Sequence, residues 1–542
     1  AKTILKYYKF GVPVKFEHDK VLRNVQLFDY NDPNNNEYIV SRQVYFHGRD
    51  FIRTDIILYI NGIPLVNIEC KNPASITESW FDAYKQILKY QNIVPELYKY
   101  IQIGIAAERV ARYFPVVVWR EDVTTYQWRA GNKSNENTEV DPIESMTEIL
   151  PGQNLLDIIK NFLFFRAEKG EADKIITRYM QYRAANKIVR RIKEKLANRS
   201  DRKRGLIWHW QGSGKTFTMI FAANKLYYLK ELSNPTVFFI VDRNELETQL
   251  NDEFNYLDIV EPEKINSVFE LKRVLKHDDY RGKRGIFITL IHKFRPEELA
   301  DLQDEIEKIS KFKETIANRE NVIVFIDEGH RTQYGLLAAQ MKKIFKSAFF
   351  FALTGTPISK TGKDTYLEYA YPPEEIYLDK YFISDSIKDK YTVKIVYQPR
   401  LIESVHLNKE MLEEFLKSEL EEIPDTEEYS FDFNYRGKIE EKIKDKLNLI
   451  NSFLENPERI NLVAKDIAEH FKRNIDGKFK ALIVAASRKA CLTYKNVISK
   501  YLPEEYSEIV MTHTVDDSEP LLERVAEIQS RFGTKKVEDI NK

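Results

Sequence analysis

From residue 205 onward, short apolar runs recur with helix-like stretches between them: GLIWHW, TVFFIVD, GIFITLI, NVIVFID and AFFFALTG. Runs that are apolar along their whole length suit strands covered on both faces, and strands alternating with helices build a parallel, doubly wound sheet. The fold class that follows is α/β. A second series, YTVKIVY, KALIVAAS and SEIVMTH, flanks a helix-like stretch from Ile439 to Arg473 and predicts a second lobe of the same kind. The first 150 residues read differently, with NEYIVSRQVYF, TDIILYI, LVNIECK, IQIGIA and FPVVVW around one amphipathic helix. They predict a separate domain on a mixed sheet, with the polar segment GNKSNENTEVDP as its exit. The expected domains are 1–150, 151–385 and 386–542.

Composition narrows the setting without naming a partner. The 83 Lys and Arg cancel the 83 Asp and Glu, so net charge argues for neither nucleic acid nor a membrane surface. Charge is segregated locally, with a basic run from Arg178 to Arg204 and an acidic one from Glu403 to Glu428. Either run reads equally well as a solvated helix face. Two cysteines, Cys70 and Cys491, are too few for a disulfide framework and fit a reducing cytoplasm. No apolar run approaches the roughly 20 residues of a membrane span, and AKTILKYYKF lacks the apolar core of a signal peptide. The expectation is a cytoplasmic protein with no membrane partner, whose natural chain starts before this Ala1.

Strand GLIWHW runs directly into Gln211, Gly212, Ser213, Gly214, Lys215 and Thr216, followed by the helical FTMIFAANKLYYL. A Gly-rich turn between strand and helix presents backbone N–H groups to phosphate. Lys215 then sits on the β and γ phosphates of ATP and Thr216 on Mg²⁺. The first Gly of the pattern G-x-x-x-x-G-K-[ST] is replaced by His209. NVIVFID ends in Asp327, followed by Glu328, Gly329 and His330. Asp327 at the end of a buried strand is placed to hold Mg²⁺, and Glu328 to orient or deprotonate the attacking water. His330 is open to two readings, a coupling residue or a packed core histidine.

These segments resemble the motifs of superfamily 2 helicases and translocases. HWQGSGKT is similar to their first motif, DEGH to their second, and Thr354, Gly355 and Thr356 in ALTGTP to their third. The resemblance implies that the third couples hydrolysis to movement and that Gln181 in RYMQYRAANKIV reads adenine. It also implies DNA-backbone contacts for Asp242, Arg243 and Gln249, and for Thr289.

In the first domain, Asp55 opens TDIILYI, and Glu69 and Lys71 close LVNIECK. Alternation puts Asn67, Glu69 and Lys71 on one face. Two carboxylates and a lysine on one face can bind Mg²⁺ and activate water against a phosphodiester. For Asp55 to stand opposite Glu69, the hairpin needs an odd loop, Asn61 to Ile63 or Ile60 to Pro64. A two-residue Asn61-Gly62 turn would oppose Asp55 to Ile68, and Pro64 fits a loop better than a ladder. The expectation is therefore that Asn-Gly does not make the common two-residue turn here. Gln86 and Tyr90 share a face of the next helix at i, i+4.

This set resembles a PD-(D/E)xK nuclease with its Gln-x-x-x-Tyr motif, which implies that Gln86 and Tyr90 contact DNA near the cut. A nuclease ahead of a superfamily 2 motor resembles the restriction (R) subunit of type I restriction-modification enzymes. IECKNP, ARYFP, HWQGSGKT, VDRNELETQL, DEGHR, ALTGTPI and YFISDSIKDKYTVKIVY carry that likeness in order. It implies ATP-dependent translocation on double-stranded DNA and Mg²⁺-dependent cleavage away from the recognition site. Methyltransferase and specificity subunits would be the partners. Two other readings share these motifs: a single-chain enzyme with a fused methylase, and a repair or remodelling helicase whose first domain only binds DNA. The family's motors carry further motifs after the segment matching SEIVMTH, including an arginine that reaches the γ-phosphate. This chain stops at RFGTKKVEDINK, so poor ATP binding or slow hydrolysis, and no independent translocation, are expected of it.

Overall fold

Alternating apolar and polar residues before position 130 produce a six-stranded sheet in the computed structural model. Its strands are β1 (Tyr38–His47), β2 (Phe51–Ile60), β3 (Ile63–Cys70), β4 (Ile103–Ala107), β5 (Ala111–Pro115) and β6 (Tyr126–Gln127), in that spatial order. The structure describes residues 1–16, 21–129, 140–168, 170–241, 244–257, 259–290, 315–329, 341–360, 363–397 and 454–510, with a few positions from 522 to 530. Only β3 and β4 pair in parallel, so the sheet is mixed as expected. The stretch FPVVVW is strand only to Pro115, because β5 starts earlier, at Ala111.

A parallel pair needs a crossover, and α2 (Trp80–Ile93) supplies it; α1 (Lys2–Phe10) precedes the sheet. A capping box starts α2: the Ser79 hydroxyl accepts from the Phe81 amide, and the Asp82 carboxylate accepts from the Ser79 amide at 2.8 Å. Ala83, Tyr84 and Ile87 of α2 cover one face of the sheet against Ile57, Ala106 and Phe114. The other face, Val66, Ile68, Ile103 and Ile105, belongs to a larger core that continues through Phe162 and Ile188 to Ile207 and Phe221. Residues 1–394 form one compact unit, and the core is unbroken at residue 150.

A hairpin, β7 (Leu163–Glu168) and β8 (Glu171–Ile176), leads to α3 (Tyr179–Leu196), and the apolar runs follow as strands. They are β9 (Arg204–His209), β10 (Thr236–Val241), β12 (Gly285–Leu290), β13 (Val322–Asp327) and β14 (Phe349–Thr354). Two short edge strands not evident in the sequence, β11 (Glu263–Ile265) and β15 (Asp379–Tyr381), complete a parallel sheet of order β11-β12-β10-β13-β14-β9-β15. Helix α4 (Lys215–Tyr227) follows β9.

The basic run is partly interior. Arg183 and Lys187 pair with Asp379 at 2.8 and 2.9 Å, and the buried Arg191 pairs with Glu375 at 2.5 Å. Part of its charge is therefore consumed in fixing α3 to the segment around β15. Asp389 makes a second junction: it accepts from the Tyr179 hydroxyl at 2.9 Å and the Tyr381 hydroxyl at 2.7 Å, and it pairs with Arg129, just past β6.

The second unit, Ile395–Lys542, shows helices α5 (Pro457–His470) and α6 (Arg488–Ile498) packed through Ile460, Ala464, Ala468, Ala490 and Ile498. YTVKIVY and KALIVAAS, expected as strands, are irregular and leave Val393, Val396, Leu482 and Val484 exposed. A strand exists only by pairing, and no partner strand faces either segment among the described residues. The acidic run from 403 to 428 and most of GNKSNENTEVDP lie outside the described residues.

Candidate active sites

The expected hairpin geometry is corrected by the structure. Ile60 pairs with Ile63, and Asn61 and Gly62 both have positive φ, 50° and 76°, so the two-residue Asn-Gly turn does form. Pro64 lies in β3, opposite Tyr59, and not in the loop. Register then shifts between Leu58 and Tyr59: Leu58 pairs with Val66, which leaves the buried Leu65 as an extra residue in β3. One extra residue moves every later side chain of β3 to the opposite face relative to β2. The pairs Leu58–Val66, Ile57–Asn67 and Ile56–Ile68, continued by one residue, set Asp55 opposite Glu69. The bulge restores what the tight turn would have removed, and Pro64, with no N–H to donate, sits where the ladder is already interrupted.

The Asp55 amide donates to Glu69 Oε1 at 3.2 Å, and the Cys70 amide donates to Asp55 Oδ2 at 2.9 Å. Gln86 links the rest of the cluster. Its Nε2 donates to Glu69 Oε2 at 3.0 Å and to the Tyr90 oxygen at 2.7 Å, while its Oε1 accepts from Lys71 Nζ at 2.8 Å. The Tyr90 hydroxyl donates to the Arg53 carbonyl at 2.9 Å. The fold thus brings together Asp55, Glu69, Lys71, Gln86 and Tyr90. Gln86 and Tyr90 are engaged with protein groups here, in a network that orients Glu69 and Lys71.

Glu69 is fully buried, and burial, with Asp55 beside it, pushes its carboxyl up to about 8. A half-buried Asp55 facing a buried, proton-holding Glu69 fits a divalent cation, which would take the place of that proton. A raised folded-state value means that Glu69 contributes stability that is fully present below about pH 4.5 and lost as pH rises through about 8. Melting temperature is therefore expected to fall across that window, and less steeply in Glu69→Gln. Mg²⁺ should raise it more at pH 8.5 than at pH 6. Scanning calorimetry with and without Mg²⁺ checks this, and equal slopes for wild type and Glu69→Gln would count against it.

In a parallel sheet all strand C-termini share one edge, where ligands bind. β13, β14 and β9 are neighbours, so Asp327–Glu328, Thr354–Thr356 and Gly212–Thr216 meet there. Gly212 and Gly214 have φ of 80° and 78°, and nothing lies within 4 Å of where a Gly212 Cβ would stand. The Ser213 hydroxyl is buried with no hydrogen-bond partner among the described residues. This open cradle fits a phosphate. Lys215 Nζ lies 3.4 Å from Glu328 Oε1, and the Thr354 hydroxyl donates to Glu328 Oε2 at 3.3 Å. Asp327 is buried and its Oδ1 accepts from the Glu328 amide. Thr216 lies in the first turn of α4, and Gly355 packs beside the His209 carbonyl. Gln181 is buried and donates to the Ser213 and Gly214 carbonyls, both at 3.2 Å, so it braces the loop.

Other expected contacts are less direct. The Thr289 hydroxyl is buried and donates to the Ile265 carbonyl at 3.2 Å, whereas Gln249 is exposed. His330, Asp242 and Arg243 lie outside the described residues.

The sequence reading missed a buried group under the loop. His209, at the position of the missing Gly, contacts Asp379 at 2.8 Å, and Arg183 closes on the same carboxylate. Burial alone would raise Asp379, but His209 and Arg183 hold it below the ordinary carboxylate range. An Asp set among the apolar and aromatic residues of IYLDKYF, next to Lys380, was the available signal.

Residues 1–123 match the type I restriction enzyme R protein N-terminus family, and residues 180–429 match the SWI2/SNF2 ATPase family. The chain is 34% identical to the type I restriction enzyme MjaVIIIP endonuclease subunit of Methanocaldococcus jannaschii, covering 100% of this chain and 53% of that protein. It is 29% identical to the type I restriction enzyme HindI endonuclease subunit of Haemophilus influenzae, covering 98% of this chain and 50% of that one. The chain thus spans about half the length of the curated relatives it matches. With both family matches in the order that the two sites occupy in the fold, this chain belongs to the type I restriction enzyme endonuclease (R) subunits.

Proposed function

We propose that this chain carries the nuclease and the first motor lobe of a type I restriction subunit, which uses ATP to move along double-stranded DNA and cuts it in a Mg²⁺-dependent reaction. The observation that carries the reading is one compact unit holding both the opposed Asp55–Glu69 pair, with Lys71 and Gln86 bonded into it, and the Gly212–Thr216 cradle beside Asp327 and Glu328. Asp55 and Glu69 would hold Mg²⁺, which supplies Lewis-acid activation of water and neutralises charge on the scissile phosphate. Lys71, held by Gln86, faces the charge that develops there. At the motor site, Thr216 and Asp327 would hold the second Mg²⁺, and Lys215 and the loop amides would hold the ATP phosphates. Glu328, now paired with Lys215, would orient water once phosphate takes that lysine. Methyltransferase and specificity subunits would bring the recognition site. No helix among the described residues is long and apolar enough to cross a membrane.

The test is the full-length subunit with its partner subunits on linear DNA carrying an unmethylated recognition site. Processive DNA-stimulated ATPase and Mg²⁺-dependent cutting are expected. ATPase without DNA stimulation, or the absence of cutting, would refute the assignment.

A further inference from the structure

At the far end of α4 from the phosphate loop, roughly 20 Å along the helix, a cavity of about 850 Å³ opens between α1, the loop after Arg23 and the motor lobe. Such a volume suits a small-molecule ligand. Its lining includes five lysines and one carboxylate, Asp29, among the described residues. The Asp29 oxygens are already engaged by the Asn35 side chain and the Asn31 and Asp32 amides.

Two lining side chains are more than nine-tenths buried yet lack polar partners among the described residues. Lys9 is 8% exposed, and its Nζ contacts only the face of Phe164, 3.5 Å from the ring centroid. Asn224 of α4 is 5% exposed, and its side-chain amide makes no hydrogen bond. Both side chains line the cavity, so a ligand seated there can supply the polar partners that the protein does not. Burial alone draws Lys9 down to about 7. Beside them, Lys160 stands 4.4 Å over the ring of Tyr30. At the rim, Phe10 and Tyr228 make an edge contact at 6.2 Å and remain about half exposed, at 50% and 52%. Exposed aromatic rings lining a lysine-rich cavity offer a stacking surface for a planar ring next to a seat for an anion.

We propose that this cavity binds a nucleotide-class ligand, with its phosphate seated at Lys9 and Lys160, its polar edge at Asn224 and its base against Phe10 and Tyr228. The site shares no residue with the nuclease cluster or the phosphate loop, and it stands whether or not the proposed restriction activity does.

The experiment is calorimetric titration of the full chain carrying Lys215→Ala, so that the motor site is silenced. The probes are AMP, inorganic phosphate and a short oligothymidylate. AMP is expected to bind saturably, at least about tenfold tighter than inorganic phosphate, and to lose at least about tenfold in affinity in Lys9→Met. Asn224→Leu and the exposed Tyr228→Ser should each weaken it severalfold without lowering the melting temperature. They also provide the readout should Lys9→Met fail to fold. No saturable AMP binding up to millimolar concentration overturns the proposal. AMP affinity unchanged in these variants, phosphate binding as well as AMP, or oligothymidylate binding that AMP does not displace would each do the same.

Discussion

Replacing Asp55 with Ala is expected to lower DNA cleavage by the full-length subunit, in its complex, by at least about 10³-fold, with DNA-stimulated ATPase kept within about twofold. The magnitude follows from removing one of two carboxylates that face each other across β2 and β3, since a bound metal supplies several kcal/mol of charge stabilisation in the transition state. The Lys71–Gln86 bond, 2.8 Å long, does not involve Asp55, so the loss tests the carboxylate pair and not the whole cluster. The fold should survive, because Asp55 is half-buried and its carboxylate is tied to the β3 backbone through the Cys70 amide. A chain whose first domain merely bound DNA would lose neither activity, and that outcome would assign Asp55, Glu69 and Lys71 a structural role.

Lys215→Ala is expected to cost about 10² to 10³ in ATP hydrolysis and to abolish cleavage distant from the recognition site along with it. Lys215 is the charged group that the loop between β9 and α4 aims at the cradle, and its removal leaves Glu328 without the cation 3.4 Å away. The two variants form an asymmetric pair. One loses cutting alone, and the other loses both activities, because cutting waits on movement while hydrolysis does not wait on cutting. Single-turnover ATPase and cleavage of linear DNA, measured on the same preparations, read both. Distant cleavage persisting in Lys215→Ala would separate the nuclease from the motor and refute the coupling.

Much of this was readable from residue types. Strands β9, β10, β12, β13 and β14 coincide with the apolar runs, because a strand covered on both faces has no polar position to confuse its pattern. The edge strands β11 and β15 were missed: they have three residues each and mixed polarity. The hairpin shows the limit of local rules. Asn61-Gly62 obeyed its usual turn preference, against the expectation, and Leu65 as a bulge residue undid the change of face that this turn imposes. A bulge adds one residue to one strand and leaves little mark in alternation, so period-two reading could place the carboxylates opposite each other only by assuming the wrong loop.

The candidates for the chemistry came from the sequence alone: a Gly-rich turn between an apolar strand and a helix, an acidic pair ending another such strand, and two carboxylates with a lysine beside apolar strand cores. These are local patterns, and local patterns survive in one dimension. The tertiary structure alone decided what each side chain is engaged with. Gln181 braces the phosphate loop, Gln86 joins Lys71 to Glu69, His209 and Arg183 close on Asp379, and part of the basic run is consumed by Asp379 and Glu375. Every one of these contacts except the Lys71–Glu69 cluster joins residues about thirty to two hundred apart in the chain. Partners at such separations are chosen by how sheets and helices pack, which no short window of residues contains.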